Sequence, residues 1–486
     1  MLIGAALLLG AGALLRSTEY DEQYTLFVTG MVTRPAWPTT GLTAGEVVRL
    51  QAAQADPARI AADLRATDVH PPLYFWLIAL WRTTFGNSLL IARLGSVACA
   101  LGALLAVARI ARQLGAPLCL AMLLTLGCYG FAYTGAIARG FALAQLLTLC
   151  GIATALTADR LRKRAILAGV LLGAASFANY LAGFTAVAAA GWFALRRKGR
   201  QFLLACIGMA PFLAADLSFF LAQRRSRDGQ FPSFHLLSAI SRIAKYLAAV
   251  MFGGLPLYVE GPARLAVSIA VATLVLGVIG LVAWRWRLNG PAAARTLLAA
   301  SAAATPAGLL LLGLAFNTTP IELRYLVFAA PFLALLLAGA LGTLPTVTGA
   351  TLAGLALAAQ TAALAGWLTQ PQTMQPAREA AMAAAALVTD GVVLLPHGND
   401  GVGIVGAFAD EAPPGLRMLL VAGDEPASRI RHRTAAFPHV ALALVAQDDS
   451  SRAAVAAMRD AFTAPCWREM ARQGDLVVFE QTCISH

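Results

Sequence analysis

Two short clusters in one polar stretch hold the side-chain types that acid–base and phosphate chemistry need. Tyr20-Asp21-Glu22-Gln23-Tyr24 places two carboxylates directly after the first apolar run, and Asp68-Val69-His70-Pro71-Pro72-Leu73-Tyr74 closes the same stretch. Carboxylates at that position lie at a membrane surface, where a lipid headgroup and a water-borne acceptor meet; acidic residues after a first span are also ordinary solvated flanks. The second cluster is more constrained. Two prolines fix the backbone, and the residue before a proline is held extended, so His70 is presented at a defined place. Asp68, two residues away, falls on the same face of an extended chain. An interfacial histidine can donate to a phosphate oxygen, and a neighbouring carboxylate raises the cationic fraction that does so best. A lone histidine in such a position more often only caps a turn.

Composition sets what must position these residues. Of 486 residues 59% are hydrophobic and 13% charged, and the mean hydropathy is +0.69. Apolar runs recur at the roughly 20 residues that a helix needs to cross a bilayer, so the chain reads as a polytopic membrane protein. The net charge of +12 does not point to nucleic acid, because the basic residues fall between apolar runs, as they do when they orient helices. Cys99, Cys119, Cys128, Cys150 and Cys206 lie in apolar runs without metal-binding spacing and read as small core or lipid-facing residues.

Eleven spans are expected, near Leu2–Leu15, Leu94–Ala108, Ala116–Thr134, Gly140–Thr157, Ala165–Tyr180, Leu181–Leu195, Phe202–Leu221, Leu265–Trp284, Thr296–Phe316, Tyr325–Leu341 and Val347–Leu368. The basic clusters Arg109/Arg112, Arg160 to Arg164, Arg196 to Arg200 and Arg285/Arg287 then share one side, which the positive-inside rule makes cytoplasmic. The amino terminus falls inside. Residues 16–93, 135–139, 222–264, 317–324 and 369–486 fall outside, in what is expected to be the inner (plasma) membrane of a bacterium. The run Pro71–Phe85 is too short for a span and is interrupted by Arg82, so it is expected to be an interfacial helix anchored by Tyr74, Trp76 and Trp81. Tyr246–Tyr258 reads the same way.

Past Leu368 the apolar runs shrink to strand length at Val392–Leu395, Met418–Val421, Val440–Val445 and Leu476–Phe479, alternating with Ala-rich stretches at Ala377–Leu387 and Ser451–Phe462. The expected division is a transmembrane module over 1–369, with outer loops 16–93 and 222–264, and a small extracytoplasmic α/β domain over 370–486. Cys466 and Cys483 are the two cysteines of that domain, and the sequence leaves open whether they are bridged.

Asp21-Glu22, the run from Asp68 to Leu77, Arg93-Leu94, Ala138-Arg139-Gly140-Phe141 and Leu323-Arg324-Tyr325-Leu326 together resemble the membrane-embedded C-type glycosyltransferases that use polyprenyl-phosphate sugars. The branch is that of the dolichyl-phosphate-mannose protein mannosyltransferases and the bacterial aminoarabinose lipid A transferase, and the resemblance covers residues 1 to about 343. It implies a C-type fold and a hexosyl- or pentosyltransferase with a lipid-monophosphate donor, Asp21 as catalytic base beside Glu22, and His70 on the lipid phosphate. Asp68, Tyr74 and Tyr325 are supporting residues. Where the aminoarabinose enzymes have a metal-liganding glutamate this chain has Val69, so no cofactor is implied with certainty and a divalent metal stays open. Phe141 stands where members often have tyrosine.

The residue chemistry agrees with that reading. A sugar leaving a lipid monophosphate leaves behind a phosphate that gathers charge, which fixed cations stabilise. Arg139 and Arg324 fall at outer helix mouths, and arginine grips phosphate with two donors, although a snorkelling helix-end arginine has the same address. Attack from the face opposite the phosphate, with a carboxylate taking the acceptor proton, inverts the anomeric centre. A retaining path needs a nucleophilic carboxylate. The acceptor, a lipid, glycan or protein, is not legible. Asp216 is an acid inside an apolar run, functional by default, with no step to assign. The competing class is a transporter or flippase, which calls for mid-depth charges and related halves.

Overall fold

The computed structural model describes every residue except 68, 160, 225–232, 254–258, 260, 318–320, 371–376, 389, 400, 464–465 and 484–486, and the side chain of residue 67. The chain forms two compact units, one of residues 1–15, 58–77 and 93–370 and one of residues 16–57, 78–92 and 371–486. Expected as one outer loop of the membrane module, residues 16–93 therefore divide between them.

Among the described residues the regular elements of the first unit are all helices. All eleven apolar runs are helical. Among the described residues five helices qualify as spans by length and apolarity (Leu89–Leu114, Gly199–Gln223, Pro262–Trp284, Ala292–Phe316 and Thr346–Thr369), or seven if two further bent helix pairs each count as one. The chain is an integral membrane protein. One bent pair replaces the run Ala116–Thr134, where Leu118–Gly127 and Tyr129–Gly135 meet at 72°. The carbonyl of Leu124 freed near that break takes the Gln360 amide at 3.0 Å, the side-chain repair that an interrupted membrane helix requires. Small residues set a close helix crossing: a Cβ on Gly169 would meet the Ala205 carbonyl oxygen at 2.1 Å, and one on Gly208 the Ile166 carbonyl oxygen at 2.3 Å, so Arg162–Ala178 and Gly199–Gln223 pack backbone to backbone. Buried Arg93 donates to Ala13 O at 2.8 Å, placing a cation at the carbonyl end of the Leu2–Leu15 helix, where the macrodipole favours it.

The second unit is an α/β domain built on one six-stranded sheet, ordered β1 (Leu42–Thr43), β3 (Arg417–Val421), β2 (Gly391–Pro396), β4 (His439–Ala443), β6 (Leu476–Gln481), β5 (Trp467–Gln473). β2 runs parallel to β3 and β4, and β6 is antiparallel to β4 and β5. β2 is buried along its whole length. Its alternating side chains serve two cores: Val393 and Leu395 pack with Ala381, Ala384, Ile404 and Phe408, Val392 and Leu394 with Ile430, Ala454 and Met458, as the two-residue period of a strand dictates. The helices Gly403–Glu411 and Ala427–Thr434 and strand β5 were not foreseen from the pattern. Cys466 and Cys483 are bridged, and the bridge ties the start of β5 to the residues after β6.

The first polar stretch supplies part of this domain. β1 pairs antiparallel with β3, Leu42 opposite Met418, and Tyr20, Phe27, Ala44 and Val47 enter the same core as Phe408. In the second half of the Leu73–Phe85 helix, Arg82 is fully buried and donates to Leu26 O (3.0 Å), Thr29 Oγ1 (2.6 Å), Gln51 O (2.6 Å) and Asn87 O (2.8 Å). Of the expected interfacial anchors, Tyr74 is 3% exposed, while half-buried Trp76 lies edge-on to Phe177 and half-buried Trp81 donates to Ile91 O at 2.8 Å. Where an interfacial segment was expected over Tyr246–Tyr258, a helix runs over Leu236–Phe252 and buries Val250, Met251 and Phe252; residues 254–258 lie outside the described residues.

Candidate active site

Pro71 and Pro72 are buried at the mouth of the Leu73–Phe85 helix, whose first turn closes with Trp76 N donating to Pro72 O at 3.0 Å. This holds His70 just ahead of the helix. Opposite it, the turn at 136–140 ends in Gly140, where a Cβ would stand 2.8 Å from the Ala178 carbonyl oxygen and 3.3 Å from Tyr74 Cβ. Glycine is what lets the Arg139 turn lie against Tyr74. The result is direct contact: Arg139 Nη2 is 3.0 Å from His70 Nε2.

A guanidinium has only donors, so in this contact the His70 ring nitrogen is the acceptor and Arg139 the donor. Arg139 is 6% exposed and immediately precedes the Phe141–Ala155 helix, whose first N–H groups have no intrahelical acceptor and add positive potential to the same spot. A buried arginine beside a helix N-terminus suits a phosphate oxygen.

Arg324 sits in the 3-10 turn Leu323–Phe328. Its Nη2 lies 2.6 Å from Glu322 Oε2 and its guanidinium 5.8 Å from the Tyr325 ring centroid. Phe328 lies 6.2 Å from Phe141 ring to ring, so the turn bearing Arg324 is fastened to the helix that follows Arg139. Phe141, read as a departure from the family pattern, thus has an aromatic packing role. Tyr74 and Tyr325 both lie in this first unit. Asp68 lies outside the described residues.

Asp21 and Glu22 belong to the second unit, on the first turn of the Tyr20–Val28 helix. They differ in environment. Glu22 is fully buried and its Oε2 accepts Glu19 N at 3.0 Å in a capping box, whereas Asp21 is partly exposed. This helix is bolted to the end of Gly403–Glu411. Gln23 Nε2 donates to Asp410 Oδ2 (2.7 Å), and Thr18 N and Oγ1 donate to Glu411 Oε1 (2.7 and 3.0 Å). Arg378 Nε holds the other Glu411 oxygen at 2.8 Å. Sequence reasoning missed Asp410, Glu411 and Arg378, and nothing in the sequence marks partners so far along the chain.

Among the described residues no three His, Cys, Asp or Glu side chains gather as a metal site, and the Val69 side chain offers no ligand atom. Asp216 is buried and takes the Ser176 hydroxyl at 2.5 Å, which pins Gly199–Gln223 to Arg162–Ala178.

Residues 69–223 match the family of dolichyl-phosphate-mannose-protein mannosyltransferases. No curated protein matches the chain in sequence. Among solved structures, ArnT from Cupriavidus metallidurans superimposes in the apo state with a TM-score of 0.56 at 12% identity, covering 98% of this chain and 96% of that one. The same enzyme bound to undecaprenyl phosphate gives 0.53 at 12% identity, covering 98% and 97%. Arabinofuranosyltransferase AftD from Mycobacteria gives 0.46 at 16% identity, covering all of this chain and 40% of that one. At these identities the likeness to ArnT speaks for the fold. Over nearly its whole length this chain has the membrane-embedded C-type glycosyltransferase fold of ArnT, and from Val69 to Gln223 it matches the mannosyltransferase family in sequence.

Proposed function

We propose that the protein is an integral membrane glycosyltransferase that moves a hexose or pentose from a polyprenyl-phosphate donor to an extracytoplasmic lipid, glycan or protein. The observation that carries this reading is the Arg139–His70 pair at the start of the Phe141–Ala155 helix, an anion site on a fold whose ArnT relative binds undecaprenyl phosphate. In the reaction the acceptor hydroxyl oxygen bonds to the anomeric carbon as the carbon–oxygen bond to phosphate breaks, with the electron pair passing to phosphate. Arg139, Arg324 and the helix N-terminus stabilise that charge. Asp21 takes the hydroxyl proton, and the anomeric centre inverts. His70 contributes by fixing Arg139.

Arg139→Ala removes a charge-assisted contact worth about 1.5–3 kcal/mol, so binding of undecaprenyl phosphate is expected to weaken by roughly ten- to a hundredfold. His70→Ala is expected to cost less alone and to add little on top of Arg139→Ala, because the two side chains act as a unit. Titration of both single variants and the double variant measures this. Undiminished binding by Arg139→Ala removes the phosphate from this site.

The orientation proposed here puts Arg162 and Arg197 in the cytoplasm and Arg242 and Ser450 outside. The Cys466–Cys483 bridge supports it, since such bonds persist in oxidising compartments. Cysteines introduced at these four positions, labelled with a membrane-impermeant maleimide in intact cells, are expected to react at 242 and 450 and to stay silent at 162 and 197. Labelling at 197 but not at 450 reverses the assignment.

A further inference from the structure

One buried side chain holds the His-Pro-Pro corner to the membrane helix that ends beside it. Gln223, the last residue of Gly199–Gln223, is 3% exposed, and its Nε2 donates to Leu64 O and to His70 O, both at 2.9 Å. Carbonyls only accept, so they fix which end of the amide faces them. The other end, Oε1, takes the Tyr180 hydroxyl at 2.8 Å. Both amide protons and the amide oxygen are thus engaged.

The contact is part of a shaped surface. The last three buried residues of this helix are Asp216, Phe219 and Gln223, spaced i, i+3 and i+7 and so on one face. Asp216 anchors that face to Ser176, and the Phe219 ring carries the Arg65 guanidinium 5.3 Å from its centroid. The end of the Pro57–Thr67 helix and the backbone of His70 therefore rest on one preorganised stripe. His70 in turn accepts Arg139, so whatever sets the His70 backbone also sets the phosphate-facing cation.

We infer that Gln223, oriented by Tyr180, is a positioning residue that fixes the His70–Arg139 pair for an anionic lipid headgroup. The inference rests on the polyprenyl-phosphate reading of this site. A misplacement of about 1 Å by a residue remote from the chemistry is enough to cost large factors in rate.

The test uses the full-length protein in nanodiscs with undecaprenyl phosphate as probe. Gln223→Glu keeps the shape and the oxygen that meets Tyr180 but removes both N–H donors. It is expected to weaken binding by about tenfold or more, to raise the donor KM more than it lowers kcat, and to speed hydrogen exchange of the amides at 73–76. Tyr180→Phe leaves the amide in place and is expected to give the same pattern at about two- to threefold, as suits the loss of one neutral hydrogen bond. Arg139→Ala is expected to cost less in the Gln223→Glu background than in the parent, which a purely structural residue does not produce. If the parent binds the probe and both variants bind it equally well with unchanged exchange at 73–76, the inference is overturned while the phosphate reading stands. A parent that does not bind the probe overturns the reading itself, and the inference with it. Should Gln223→Glu fail to fold, Tyr180→Phe alone decides.

Discussion

Asp21→Asn is expected to lower kcat for sugar transfer by about 10²–10⁴-fold, the usual worth of a general base, with the protein still folded. The amide keeps the size of the carboxylate and cannot take the acceptor proton. Asp21 is the partly exposed member of the acidic pair, and losing an acid from a first helical turn costs about 0.3–1 kcal/mol of dipole interaction. Glu22→Gln is expected to behave differently. Glu22 is fully buried and spends an oxygen on Glu19 N, a capping-box role that glutamine fills equally well. Turnover of both variants at saturating donor and acceptor, alongside thermal melts, separates the two. Loss confined to Asp21→Asn supports the base assignment, and Asp21→Asn retaining more than about a tenth of parental kcat removes Asp21 from the chemistry.

That asymmetry within the acidic pair was not legible in the sequence, and the reason is physical. Adjacent carboxylates look alike until a helix start makes one of them the third residue after a cap. By contrast, residues whose backbone is locally fixed were legible: His70 before two prolines, and the Arg139-Gly140 turn ahead of an apolar run. The two side chains meet across 69 positions. The strand pattern of the carboxy-terminal segment was also readable, because Val392 to Leu395 form a continuous apolar run of the kind a strand buried on both faces shows. The first polar stretch was not. β1 is two residues long, below any periodic signal, and its pairing with β3 spans most of the chain. Arg82 was read as an interruption in a greasy segment, since sequence counts a charge without its partners; its two guanidinium amino groups meet four acceptors brought from separate segments.

Arg82→Met is accordingly expected to be the most destabilising single change outside the hydrophobic cores. Methionine fills the volume but leaves Leu26 O, Thr29 Oγ1, Gln51 O and Asn87 O without a donor, and each buried orphan costs about 1–3 kcal/mol. Some recover a partner by relaxation or entering water, so a net loss of about 4 kcal/mol or more is expected, a large share of the roughly 5–15 kcal/mol that keeps a domain folded. Because two of the acceptors close the end of the Tyr20–Val28 helix, the damage reaches the segment that bears Asp21. Activity then falls although Arg82 touches no substrate. Arg82→Lys restores the charge but not the fork, since three donors on one nitrogen cannot serve acceptors spread over both guanidinium amino groups, and it is expected to recover only part of the stability. Melting of the full-length protein in detergent, with limited proteolysis of residues 16–57, measures the effect. If Arg82 were a snorkelling surface cation the substitution would cost within about 0.5 kcal/mol; a melting temperature within a degree or two of the parent, with residues 16–57 still resistant, would overturn the clamp.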